Sequence, residues 1–73
     1  MDKVEKIKKA VSEAVGILPN EQRIIVALKY EEELTFDEIA SVLGQSVHEI
    51  RRTYIRAVTT CLDFRRLNRL MGP

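Results

Sequence analysis

Two helix-capping patterns with one glycine between them constrain this chain more than any other feature. Thr35-Phe36-Asp37-Glu38 and Ser46-Val47-His48-Glu49 each place a hydroxyl three residues before a glutamate. In this box the hydroxyl accepts from the third amide of a helix and the carboxylate answers the N–H of the cap. Leu34, just before the first box, is set to pack on Ile39 as a hydrophobic staple. Gly44 lies between the boxes and supplies the left-handed residue that stops a helix. The first helix therefore runs from Phe36 to about Leu43, and the second starts near Val47. A short helix, a glycine turn and a second helix form the helix-turn-helix pattern, whose second helix is shaped to enter the DNA major groove.

Two helices precede this motif. Asp2 can cap a first helix, with Glu5 answering it, and Val4, Ile7, Val11 and Val15 then form one stripe that Gly16 ends. A second unit spans Pro19 to Glu33, with either Pro19 in its first turn or Asn20 as its cap. The branched residues Ile24, Ile25 and Val26 would suit a strand, but good helix formers flank them and the unit has helix length. The last helix is uninterrupted by Gly or Pro from Val47 to about Leu70, roughly 36 Å. Ile50, Tyr54, Ala57, Cys61 and Phe64 share one line on it and form the expected buried seam. His48, Arg51, Arg52, Ile55, Thr59 and Arg66 share the opposite line. Beyond Leu62 the helix outruns so small a core, leaving Phe64, Leu67, Leu70 and Met71 to fold back on the first helix or to meet another chain.

The expectation is one all-α domain over residues 1–73: four helices, a helix-turn-helix at about 35–57 without a wing, and a long C-terminal recognition helix. One cysteine, Cys61, and one histidine, His48, permit neither a disulfide framework nor a multi-ligand zinc cluster, so no metal or cofactor is expected and a reducing cytoplasm fits best. The longest apolar run, Ile24 to Leu28, is five residues, too short to span a membrane. No nucleophile with a base and an orienting group can be placed on these helices, so an enzyme is not expected.

Charge is divided along the chain. Residues 1–45 carry a net −3 and residues 46–73 a net +4, with every base of the second part an arginine. Arginine pairs bidentately with guanine edges and phosphates, whereas lysine is a mobile point charge. The asymmetry points to an anionic partner or to a solvated helix face.

Together these residues resemble region 4, the C-terminal domain of bacterial RNA polymerase sigma factors, of alternative type. The resemblance rests on Leu18-Pro19, Glu21, Arg23, Ile25-Val26, Leu28, Tyr30, Leu34-Thr35, Glu38-Ile39-Ala40, Leu43-Gly44, Ser46, Ile50, Arg56-Ala57 and Leu62. In it Ala40 lets the motif helices approach, Gly44 makes the turn and Ile50 fills the angle between them. The resemblance implies binding of the promoter −35 element as double-stranded DNA and docking on the β flap of the polymerase core, with an anti-sigma or other regulator as a further possible partner. It implies that Val47, His48, Arg51 and Arg52 face base edges and that Thr35, Ser46 and Arg56 meet phosphates. Many members carry arginine and glutamate where this chain has Val47 and His48, so a housekeeping base preference does not transfer. Gln45 stands where an apolar residue usually closes the turn. No aromatic-rich segment for promoter melting is present, so an excised domain or a small stand-alone relative is expected.

Ile24 and Ala27, often charged in that family, are apolar here, which leaves two readings: a slightly wider core stripe that absorbs both, or an apolar docking groove between the first two helices lined by Ile7, Val11, Ile24 and Ala27. Two other readings stay open: an interaction module held by the flap or a regulator without reading DNA, and a response-regulator-type helix-turn-helix.

Overall fold

A computed structural model describes residues 3–71 of the chain. Four α-helices follow one another, α1 (Lys3–Ala14), α2 (Asn20–Tyr30), α3 (Phe36–Leu43) and α4 (Val47–Met71), with a 3₁₀ turn at Val15–Ile17. The described residues contain no strand. The segment from Ile24 to Tyr30 is helical, with Ile25 and Val26 fully buried on its inner face. The cap expected at Asp2 lies outside the described residues, as does the side chain of Met71.

The first helix differs from the expected stripe. Its buried residues are Ala10, Val11 and Ala14, while Val4 is half exposed and Ile7 and Val15 are only partly covered. The reason lies on α4, along which α1 packs over the greatest extent of any helix pair. The facing residues of α4, Ala57 and Cys61, are small and fully buried. Small side chains on both helices let the backbones approach closely, so the seam follows alanine and the larger aliphatics are pushed to its edges.

Gly16 does not end α1. The helix stops at Ala14, and Gly16 sits inside the 3₁₀ turn without a positive φ. Leu18 then closes the turn by donating to the Val15 carbonyl at 3.2 Å. Pro19 takes the cap position of α2 in extended conformation, and its carbonyl accepts from Arg23 N–H at 2.9 Å, making Asn20 the first helical residue. At its other end α2 stops at Tyr30, short of the expected Glu33. Glu33 instead takes φ 56°, and Leu34 N–H reaches back to the Leu28 carbonyl at 3.1 Å.

Two apolar clusters share α4. One gathers Ala10, Val11, Ala14, Leu18, Val26, Ala57 and Cys61 between α1, α2 and the middle of α4. The other gathers Ile25, Ile39, Ala40 and Ile50 at the junction of α2, α3 and the start of α4. Tyr54 packs against both. The expected α4 seam is observed, with Thr53 and Val58 also buried and Phe64 partly covered against the first cluster. Cys61 is a free thiol in that seam, and burial pushes its pKa up and keeps it protonated, which suits a small core residue. No described helix is long and apolar enough to cross a membrane.

Candidate nucleic-acid interface

The turn between α3 and α4 is built as its local residues dictate. Thr35 Oγ1 accepts from Glu38 N–H at 3.1 Å while Thr35 N–H donates to Glu38 Oε1 at 2.8 Å, a complete capping box. Leu34 joins the cluster that contains Ile39, as a staple requires. At the other end of α3, Gly44 has φ 67° and Gln45 N–H donates to the Ala40 carbonyl at 3.1 Å. This is the backward bond of a Schellman closure, and the left-handed residue it needs strains any side chain. Ser46 then opens α4, its Oγ accepting from Glu49 N–H at 3.1 Å; the second box is thus half formed, because Glu49 does not return a bond to Ser46 N–H. Ala40 and Ile50, buried together, set the distance and angle between the two helices.

This frame orients the start of α4. His48, Arg51, Arg52, Ile55 and Arg56 are all exposed, and Arg52 and Arg56 stand one helical turn apart. Among the described residues the ion pair formed is Arg65 with Glu13, at 3.5 Å, which leaves Arg51, Arg52 and Arg56 without a carboxylate partner. Val47 is less available than its neighbours, being half-buried against the second cluster. Thr35 and Ser46 are exposed, and their hydroxyl oxygens are occupied as caps. Each still has its O–H to donate.

An aromatic chain behind this face is not evident from the motif spacing. Phe36 packs edge-on to Tyr54, centroids 5.0 Å apart, and the Tyr54 hydroxyl is hydrogen-bonded to that of Tyr30. The Phe36 ring also carries two cations: Lys29 Nζ lies 4.4 Å and the Arg51 guanidinium carbon 5.7 Å from the centroid. Both are within cation–π range. Three of the chain's four aromatic residues thus converge beside the motif. Burial, followed by the hydrogen bond to Tyr54, drives the Tyr30 pKa well above the usual tyrosine range.

Of the four apolar residues expected to line one groove, two, Val11 and Ala27, are brought together. A groove between α1 and α2 does exist, lined by Val11, Val15, Val26, Ala27 and Tyr30, with Lys8, Ser12 and Glu31 at its edges. Ile7 and Ile24 lie outside it. Ile24 shares a face of α2 with Ala27, one helical turn before it, and remains 47% exposed. Val11, though it lines the groove, is buried and belongs to the core.

Comparison with known proteins places this geometry. The family model of sigma-70, region 4 matches residues 8–61. The RNA polymerase sigma factor FliA of Pseudomonas aeruginosa is 36% identical over 50 residues, covering 68% of this chain and 20% of that protein. The chain thus spans about a fifth of the length of the curated relative it matches. No solved structure matches the chain. The matched span takes in the helix-turn-helix, both apolar clusters and the alanine seam, and on that footing the chain belongs to the sigma-70 region 4 family.

Proposed function

We propose that this domain reads a promoter −35 element as duplex DNA and that a second surface docks on the β flap of RNA polymerase. The observation that carries the reading is the row of exposed arginines without carboxylate partners on the first turns of α4, beside a glycine turn, in a chain of this family. Arg51 and Arg52 are suited to bidentate pairing with guanine O6 and N7. His48 faces the same groove, and Val47 supplies an apolar edge for a thymine methyl. Thr35, Ser46 and Arg56 meet phosphates, which fix register without reading sequence. The shallow groove holding Val11 and Ala27 offers the flap an apolar seat, and Ile24 gives a separate exposed contact. The role is one of binding in the cytoplasm, without catalysis.

Titration of the chain with promoter duplexes tests this reading. Arg51→Ala is expected to cost about 1–3 kcal/mol on the preferred sequence and to relax preference at one base position. Arg56→Ala is expected to weaken all sequences alike and to lower the salt slope by about 0.9. Equal, sequence-blind losses at both positions would sink the assignment of Arg51 to bases. Binding of a flap peptide with no salt-dependent DNA binding would instead favour the interaction-module reading, for which the α1–α2 groove is the supporting feature.

A further inference from the structure

Arg51 is exposed, yet its guanidinium is not left to solvent alone. The guanidinium carbon lies 5.7 Å from the centroid of the Phe36 ring. Among the described residues no carboxylate pairs with it, although Asp37 follows Phe36 in α3. The two kinds of partner differ in what they leave over. A carboxylate holds arginine by taking its N–H groups, the donors that a base edge needs. A ring attracts the charge through its quadrupole, and the N–H fork stays available. Arg52, one residue on and also exposed, has neither a ring nor a carboxylate among the described residues.

The ring is itself held in place. Phe36 is the first residue of α3, where the box of Thr35 and Glu38 sets the backbone. Its side chain is half-buried against the second apolar cluster and packs edge-on to Tyr54 at 5.0 Å. Tyr54 stands three residues after Arg51, on the same side of α4. Its hydroxyl bonds to that of Tyr30, which ties the ring pair to α2. Lys29, one residue before Tyr30, brings the second cation to Phe36, and its like charge disfavours conformers of Arg51 that swing toward α2. A free arginine side chain samples many rotamers and surrenders them when it pairs with a base. A side chain already confined surrenders fewer.

Resting on the DNA-binding reading above, we infer that Phe36 is a positioning residue for base recognition: its ring confines the Arg51 guanidinium before the duplex arrives and thereby sharpens preference at the base that Arg51 reads.

Titrations with the preferred duplex, and with one altered at the base pair that Arg51→Ala identifies, give a preference ratio. In Phe36→Leu, which keeps an apolar side chain at the head of α3, that ratio should fall roughly two- to five-fold, the equivalent of an exposed cation–π contact. Ratios at other base pairs and the salt slope should keep their parent values. Phe36→Tyr, which keeps the ring, should retain the parent ratio. In an Arg51→Ala background Phe36→Leu should leave the ratio unchanged, because the side chain it positions is gone. Circular dichroism checks the helicity and melting of each variant. Should Phe36→Leu fail to fold, a synthetic chain with pentafluorophenylalanine in place of Phe36 reverses the ring quadrupole at nearly the same shape, and the same fall is expected. A parent ratio in either folded chain, or an equal loss on every duplex, overturns the inference while base reading by Arg51 stands. A fall of the same size in the Arg51→Ala background makes Phe36 a packing residue only and also overturns it. If Arg51→Ala alters preference at no base pair, the reading of Arg51 fails first and the inference falls with it.

Discussion

Around the first turns of α4 the packing depends on large branched residues, and around its later turns on small ones. Ile25, Ile39 and Ile50 fill the corner between α2, α3 and α4, whereas Ala10, Ala14, Ala57 and Cys61 line the seam between α1 and α4. The corner fixes an angle, because bulky side chains wedged between crossing helices leave few ways to close. The seam fixes a distance. One end of α4 should therefore tolerate enlargement poorly and the other truncation poorly, although all of these positions are equally buried.

Substitutions that invert size break this contrast most strongly. Ile50→Ala empties the corner and should cost about 2–5 kcal/mol, enough to bring a domain of this size near unfolding. Ala57→Val overfills the seam and should cost about 1–3 kcal/mol by pushing α1 away. Urea unfolding followed by circular dichroism measures both. If Ile50→Ala leaves a separate helical transition from α1 and the end of α4, the two clusters are independent folding units; a single transition shows that Tyr54, shared by both, couples them.

The glycines sharpen the comparison at smaller scale. Gly44 holds φ 67°, so Gly44→Ala should destabilise by about 1 kcal/mol although a Cβ there meets nothing. Gly16 lacks a positive φ and its Cβ site is also empty, so Gly16→Ala should be neutral or stabilise by up to about 1 kcal/mol. Thermal melts of the two variants should move in opposite directions, and equal losses would contradict the 3₁₀ geometry at Gly16.

The smallest expected effect concerns the tyrosine that joins the two clusters through Tyr54. Native Tyr30 keeps its proton to higher pH than the unfolded chain does. Its contribution is thus fully present below about pH 10 and is lost as pH rises beyond it. Urea midpoints between about pH 8 and 11 should decline less steeply in Tyr30→Phe than in the parent. Parallel declines would show that Tyr30 is not the group responsible.

How much could be read in advance follows the same division. The limits of α3 and the start of α4 were legible because Thr35, Glu38, Gly44 and Ser46 act on amides within a few residues of themselves. The outward set on α4 was legible for a related reason, since one long helix obeys a single period. The inner face of α1 was not, because it is chosen by the small residues of α4 more than 40 positions away. Hydrophobicity alone favours Val4 and Val15 over Ala10 and Ala14. That Ile7 and Ile24 fall outside the α1–α2 groove was not legible for the same reason, since the stretch of α2 that faces α1 is set by tertiary packing. The cations over Phe36 depend on three helices meeting, and no local pattern announces them.

The length of α4 also governs how the molecule moves in solution. At 25 residues it makes a body of 43 × 25 × 17 Å with a radius of gyration of 12.6 Å. A spherical packing of a chain this long would have a radius of about 11 Å. Friction therefore exceeds that of a sphere of equal mass, and tumbling about the long axis is faster than end over end. Size-exclusion elution will overstate the mass and can imitate a self-associated species, so stoichiometry needs a shape-independent measure such as light scattering. With two tyrosines and no tryptophan, the optical signal for such work should come from the refractive index or the peptide bond rather than from absorbance at longer wavelength.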